Sequence, residues 1–465
     1  MSGSLRGHGA TVLVTALATV FGVGLLGVTE VIAQATSESV GDDPSVRLML
    51  TIVSFVFTAI AIYVAAVVTT NTVATIVAGR LRTIALVRLL GATAAGERRR
   101  LAREGLLAGA AGAAIGTVAA WALVLALVLV GIATGALPDR AYSFITVTMA
   151  VPVGAVVLAT WLAAWSGSRR VLAVTPVAAL GAAVPEGEQP VRARRGRAVV
   201  AAILFALGLA LLALGIAVGM VSPAGMLIAV VGGIASFTGV IAGSVFVIPQ
   251  LLRLAGLLLG RDAAAVLGAR NALRHPERSS RSAIALVIGV TLVTMFAVAG
   301  ETFRHTVLQM VTDRWGDAGL QQFDQTLTTM TMILSFLVGF SAVIAAVGLV
   351  NALTVGVLQR TREFGLLRAL GFSAAQLRRT IAVEAVQLTA TAFVLGTALG
   401  IGYGWAGAQS LIGSEAGQGR LIPPVVPWWF LAGVAAVAAL LALSGSLLPA
   451  RHATRVSPVQ ALAVE

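Results

Sequence analysis

Two groups of arginines in this chain are spaced to bind anions or an acidic protein surface. Arg80, Arg82, Arg88, Arg98 and Arg99 fall within residues 71–104, and Arg360, Arg362, Arg368, Arg378 and Arg379 fall within residues 351–384. A guanidinium is always charged and presents a planar fork of donors that fits carboxylate and phosphate. The groups are one pattern written twice: a shift of 280 residues, without a gap, superimposes every one of these arginines. It also superimposes Gly91 on Gly371 and Glu104 on Glu384. Such a period is too long for a solenoid and marks a duplicated unit.

Other chemistries are excluded by composition. There is no cysteine, hence no disulfide, thiolate metal site or cysteine nucleophile. The four histidines, His8, His275, His305 and His452, are scattered and suggest no metal site. All 32 basic residues are arginine. A phosphate-cradling P-loop needs a lysine, so these residues are expected to catalyse nothing, and any ATPase that drives them must be another chain. The net charge of +13 does not indicate nucleic acid, because the arginines lie between apolar runs.

With 58% hydrophobic and 11% charged residues and a mean hydropathy of +0.96, the chain belongs to the membrane class. Apolar runs near 11–34, 49–78, 105–131, 143–166, 198–220, 224–251, 282–300, 328–356, 381–409 and 427–448 predict ten transmembrane helices. The first run also admits a secretory-signal reading, but it is long for one, and its repeat mate lies deep in the chain. The positive-inside rule puts both termini in the cytoplasm. Only Arg47, Arg140, Arg304, Arg314 and Arg420 then fall outside, leaving 27 of 32 within.

The expected fold is an all-α integral membrane protein: two parallel four-helix repeats separated by a helix pair. The first unit spans residues 1–182, the linker and helices five and six span 183–260, and the second unit spans 261–465. An even number of inserted helices brings both arginine groups to the cytoplasmic side. The units end alike, Ser166-Gly167-Ser168 leading to Thr175-Pro176-Val177 and Ser444-Gly445-Ser446 leading to Ser457-Pro458-Val459. The linker, with Arg192, Arg194, Arg195 and Arg197 at its end, suits anionic lipid head groups. Pro423, Pro424, Trp428 and Trp429 read as an outer turn and interfacial anchor.

Within each repeat, the second span is expected to project beyond the membrane as a helix carrying the first three arginines. Gly91 or Gly371 suits the left-handed residue that ends it. Thr93 or Ser373 then caps a new short helix, with Ser373 and Gln376 forming a capping box. That helix bears Arg98 and Arg99, or Arg378 and Arg379, and leads through Glu104 or Glu384 into the next span. Membrane topology alone would explain the positive charge of one loop. It does not require the same glycine, cap and spacing twice, whereas a pair of docking surfaces does.

The run Arg360-x-Arg362-Glu363-Phe364-Gly365-Leu366-Leu367-Arg368-Ala369-Leu370-Gly371 resembles the signature of the FtsX-like permeases, also called MacB-like or type VII ABC transporter permeases. Asn271-x-Leu273-Arg274-x-Pro276-x-Arg278 is similar to the stretch that opens the family's four-helix unit. Thr83 stands where the second copy has Glu363. The resemblance implies that the elbows dock onto an ATP-binding subunit, two per permease chain, which holds ATP and magnesium. This chain itself would need no cofactor. The ten arginines, with Gly91, Gly371, Glu104 and Glu384, become coupling candidates; Glu363 is a coupling candidate or a brace of the elbow. The short segments 35–48 and 301–327 depart from members with a large extracytoplasmic domain.

Gly105, Gly109, Gly112 and Gly116 in span three, and Gly396, Gly400 and Gly404 in span nine, suggest close helix packing or a sliding interface. Ionisable residues are nearly absent at mid-membrane, which argues against ion-coupled transport. The leading expectation is a bacterial cell-membrane permease that exports or extracts a hydrophobic or amphipathic compound: a lipid, an antibiotic or an antimicrobial peptide. Alternatives are mechanotransmission to an extracytoplasmic partner or sensor, and an ion-coupled carrier or scaffold. No substrate-binding residue is legible.

Overall fold

A computed structural model of the chain describes residues 9–36, 90–135, 137–143, 145–168, 191–257, 282–313, 370–414 and 420–455. It also describes isolated positions between 48 and 86 and between 266 and 280, and residues 316, 339 and 366. Its long elements are all α-helices. Lipid offers the backbone no hydrogen bonds, so each apolar segment must satisfy its own N–H and C=O groups.

Among the described residues the α-helices in chain order are α1 (Gly9–Thr36), α2 (Thr51–Val64), α3 (Ala94–Ala133), α4 (Ala150–Gly167), α5 (Val191–Gly219), α6 (Gly225–Leu257), α7 (Ser282–Asp313), α8 (Ala374–Ile412) and α9 (Trp428–Arg455). Seven of these, α1 and α3 to α8, are long and apolar enough to cross a membrane. The helix α2 and the apolar part of α9 are shorter. This is an all-α membrane protein. The expected eighth span, apart from Gly339, and linker residues 169–190 lie outside the described residues, so α8 and α9 are the expected spans nine and ten.

Helix limits depart from the expectations where polar residues extend an apolar run. The helix α5 begins at Val191, so Arg192 to Arg197 form its first turns and not the end of a linker. The helix α7 continues to Asp313, taking up part of the expected 301–327 loop. It does so with Arg304 and Glu301 paired at 3.0 Å along its own surface.

The chain divides into two compact units: residues 1–191 with 218–230 and 308–333, and residues 192–217, 231–307 and 334–465. Each is built around its first repeat helix. In the first unit 76% of the apolar stretch of α1 is buried against 28% for α3; in the second, α7 reaches 83% against 22% for α5. The outer helices leave apolar flanks exposed, which costs little where the solvent is hydrocarbon.

Glycine sets the helix spacing within each unit. A Cβ at Gly112 would stand 2.6 Å from the Val12 carbonyl oxygen, and one at Gly116 would strike that of Ala16. In the second unit a Cβ at Gly400 would stand 2.8 Å from the Thr291 carbonyl oxygen, and one at Gly404 would stand 2.5 Å from that of Met295. Gly105 and Gly109 instead face Ala164 and Thr160 of α4. The four-residue stripe on α3 therefore serves two seams. The facing carbonyl lies 100 residues before the glycine in the first unit and 109 before it in the second. The repeat is thus 280 for α3 and α8 but 271 for α1 and α7, and the second unit holds nine extra residues between its first helix and its elbow.

At the end of the helices away from the arginine elbows, a glutamine amide pins a loop in each unit. Gln34 Nε2 donates to the Ser143 carbonyl at 2.7 Å, and the Ser143 amide donates back to Gln34 Oε1 at 3.1 Å. In the second unit Gln409 Nε2 donates to the Arg420 carbonyl at 3.2 Å, and the Ile422 amide donates to Gln409 Oε1 at 2.7 Å. The Trp405 indole N–H adds a bond to the Ile422 carbonyl at 2.7 Å.

Candidate functional site

The two arginine elbows have the same local construction. Leu90 N–H closes a helical turn on the Leu86 carbonyl at 3.2 Å, and Leu370 N–H does so on Leu366 at 3.0 Å. Gly91 and Gly371 then turn the chain with φ of 103° and 96°, a region that side chains disfavour and glycine enters freely. Thr93 caps α3, its hydroxyl accepting from the Gly96 amide at 3.1 Å. Ser373 caps α8 with both bonds of the capping box: Gln376 N–H to Ser373 Oγ at 3.2 Å and Ser373 N–H to Gln376 Oε1 at 2.9 Å.

The expected short helix is not a separate element. It is the first part of a continuous rod, 40 residues in α3 and 39 in α8. At 1.5 Å per residue each rod is about 60 Å long, about twice the hydrocarbon thickness. The helix survives the passage from polar to apolar because residues 97–104 alternate charge at helical spacing. Arg100 pairs with Glu97 at 3.8 Å and with Glu104 at 3.2 Å, one turn to either side. Such exposed pairs contribute only a few tenths of a kcal/mol each, but they favour the helix over a loop.

The elbow arginines take two different roles. Arg98 is half-buried, with its guanidinium carbon 4.0 Å from the centroid of the Trp165 ring. Its Nε and Nη2 donate to the Trp165 carbonyl at 3.3 and 3.2 Å, and Ser168 Oγ donates to the same oxygen at 2.9 Å. That carbonyl is one of the last four of α4, which have no partner within their own helix. A cation there also meets the negative end of the helix dipole. Arg99 is exposed, and the copy repeats the contrast: Arg378 is half-buried and Arg379 exposed. Glu104 and Glu384 are half-buried at the base of the elbow. Arg80, Arg82, Arg88, Arg360, Arg362, Glu363 and Arg368 lie outside the described residues.

Sequence reasoning missed Trp165 and Ser168 as partners of the elbow. The repeat carried no signal for them, because the residue before Ser444 is Leu443 where Trp165 precedes Ser166. Among the described residues no group of His, Cys, Asp and Glu is placed to hold a metal.

The duplicated construction has a counterpart in known proteins. The FtsX-like permease C-terminal family matches residues 55–176 and again residues 327–458, more than half of the chain and one match per repeat. The chain belongs to the FtsX-like permease family. The first match runs from within α2 through the elbow to α4, and the second takes in the other elbow with α8 and α9. The elbow is thus part of the family's shared module, while helices α5 and α6 lie outside it.

This FtsX-like chain is 32% identical over 136 residues to an uncharacterized ABC transporter permease, YknZ, of Bacillus subtilis, covering 29% of this chain and 32% of that protein. It is 32% identical over 149 residues to a macrolide export ATP-binding/permease protein, MacB, of a Shewanella species, covering 32% and 22% respectively. It is 32% identical over 154 residues to a probable syringafactin export ATP-binding/permease protein, SyfD, of Pseudomonas syringae pv. tomato, covering 32% and 21%. The aligned stretch spans about a third or less of each of these relatives.

Proposed function

We propose that this FtsX-like chain is the membrane-spanning permease of an ABC transporter in a bacterial cell membrane, with both termini cytoplasmic. A separate ATP-binding subunit, in two copies, drives it by docking at the two elbows. The carrying observation is the duplicated elbow: the same left-handed glycine, the same hydroxyl cap, and a half-buried arginine followed by an exposed one in each unit. Relatives named as exporters of macrolides and syringafactin support a hydrophobic or amphipathic cargo. The absence of lysine from these 465 residues supports an ATPase on another chain, since ATP and magnesium need a P-loop to hold them.

The geometry suits transmission of force. Because elbow and span form one helix, displacement at Arg99 or Arg379 reaches the membrane without passing a hinge. In the first unit the Arg98–Trp165 contact extends that coupling from α3 to α4. Arg99 and Arg379 are the docking groups in this reading, and Arg98 is a positioning residue that joins two helices.

Co-purification with an ATP-binding subunit encoded beside this chain tests the reading. Charge reversal of both exposed arginines, Arg99→Glu with Arg379→Glu, is expected to abolish retention of the subunit and any stimulation of its ATPase activity. Retention and activity at the unmodified level in that variant would refute the docking assignment.

A further inference from the structure

We propose that the hairpin of α5 and α6 is a fixed lateral cover on α8, so that the two repeated units present different surfaces to the membrane. On the flank that α3 shows to lipid acyl chains, α8 is covered by protein. This inference does not depend on the permease reading.

The two helices of the hairpin pack backbone against backbone. A Cβ at Gly232 would stand 2.5 Å from the Leu212 nitrogen, one at Gly239 would stand 2.6 Å from the Phe205 nitrogen, and one at Gly208 would strike the Ser236 backbone. Backbones this close pack as one body.

The hairpin is also bonded to α8 at two levels. Ser236 Oγ and the Tyr403 hydroxyl are 2.9 Å apart, with Phe237 edge-on to the Tyr403 ring at 6.2 Å. Gln387 Nε2 donates to the Leu252 carbonyl at 2.6 Å. Sixteen residues separate Ser236 from Leu252, and sixteen separate Gln387 from Tyr403. The two helices therefore run antiparallel in unbroken register over about 24 Å, most of the hydrocarbon thickness. Midway along this stripe Ser280 Oγ donates to the Ser244 carbonyl at 3.3 Å, and Ile248 and Leu252 are fully buried.

The repeat supplies the comparison. The 280-residue register that matches Thr93 to Ser373 places Leu107 at the position of Gln387 and Leu123 at that of Tyr403. Leu107 and Leu123 are 59% and 41% exposed, whereas Gln387 is fully buried. An amide and a phenol facing hydrocarbon without partners are strongly disfavoured, whereas two leucines there are not. The side chains thus encode a covered flank in one unit and a lipid-facing flank in the other.

The test uses the full-length chain in vesicles containing a phosphatidylcholine with a diazirine in its acyl chain, with adducts mapped by mass spectrometry. Adducts are expected at Leu107 and Leu123 and not at Gln387, Thr391 or Tyr403. Adducts on that α8 flank as abundant as those on α3 would overturn the proposal. A second measurement uses the absence of cysteine: spin labels at Leu254→Cys and Ala375→Cys report the spacing of α6 and α8. The distance distribution is expected to be narrow, and to broaden when Q387L and Y403F give the second unit the apolar character of the first. An unchanged distribution would overturn the role of these two bonds. Neither measurement needs an ATPase, so failure here and failure of the docking assignment are separate results.

Discussion

The Arg98 guanidinium lies 4.0 Å from the centre of the Trp165 ring while two of its nitrogens donate to the Trp165 carbonyl. One side chain of the elbow therefore completes the end of α4 and stacks on its last aromatic residue. This divides the duplicated arginines into those turned inward and those left exposed.

Arg98→Leu removes a charge-assisted bond and a cation–π contact, and is expected to destabilise the first unit by about 1–3 kcal/mol. Arg98→Lys keeps the charge without the fork and is expected to fall between. Thermal unfolding in detergent orders the three proteins. With the ATP-binding subunit present, Arg98→Lys should retain binding but lower the stimulated ATPase rate; a loss of binding equal to that of Arg99→Glu with Arg379→Glu would make Arg98 a docking group instead.

Substitution of the packed glycines should be severe and position-specific. Gly116→Leu and Gly400→Leu force side chains into a facing helix and are expected to cost about 1–3 kcal/mol or more through overpacking. Gly154, in α4, has open space around its Cβ position. Gly154→Ala is expected to be neutral or stabilising by up to about 1 kcal/mol, from helix propensity. Yield of monodisperse protein and midpoint of thermal unfolding read the contrast.

The glutamine that pins the second far-end loop gives a local prediction. Gln409→Leu leaves the Ile422 amide and the Arg420 carbonyl unpaired, at about 1–3 kcal/mol for each group that stays buried. Hydrogen exchange at Ile422 is expected to accelerate, with little change within α8. Unchanged protection at Ile422 would show that the Trp405 bond to its carbonyl alone holds the segment.

Capping is expected to be worth the same in both repeats. Thr93→Ala and Ser373→Ala each remove a side-chain acceptor at a helix start and should cost about 1 kcal/mol. Ser373→Ala leaves the bond from the Ser373 amide to Gln376 Oε1 in place, so each change removes one bond and the two costs should match. Hydrogen exchange of the Gly96 and Gln376 amides is the direct measurement.

Much of this protein was legible in its chain. Long apolar runs require helices because lipid leaves the backbone no other partner. The repeated arginine stretch located both elbows, and Gly91, Gly371, Thr93, Ser373 and Gln376 take the conformations and bonds their types suggest, since turns and caps are decided within a few residues. The cap did not make a short helix, because nothing between Thr93 and Ala133 breaks one and the Glu97-Arg100-Glu104 spacing supports it.

The tertiary structure decided what depends on distant neighbours. Arg98 and Arg99 are adjacent and identical in sequence, and only the end of α4, almost seventy residues on, makes one a strut and leaves the other exposed. The glycine stripe of α3 shows close packing, but its division between α1 and α4 is a matter of rotation about the helix axis. Gln387 and Tyr403 are merely polar residues in an apolar run until α6 supplies a carbonyl and a serine sixteen residues apart. The duplication fixed the shared module; packing fixed how its two copies differ.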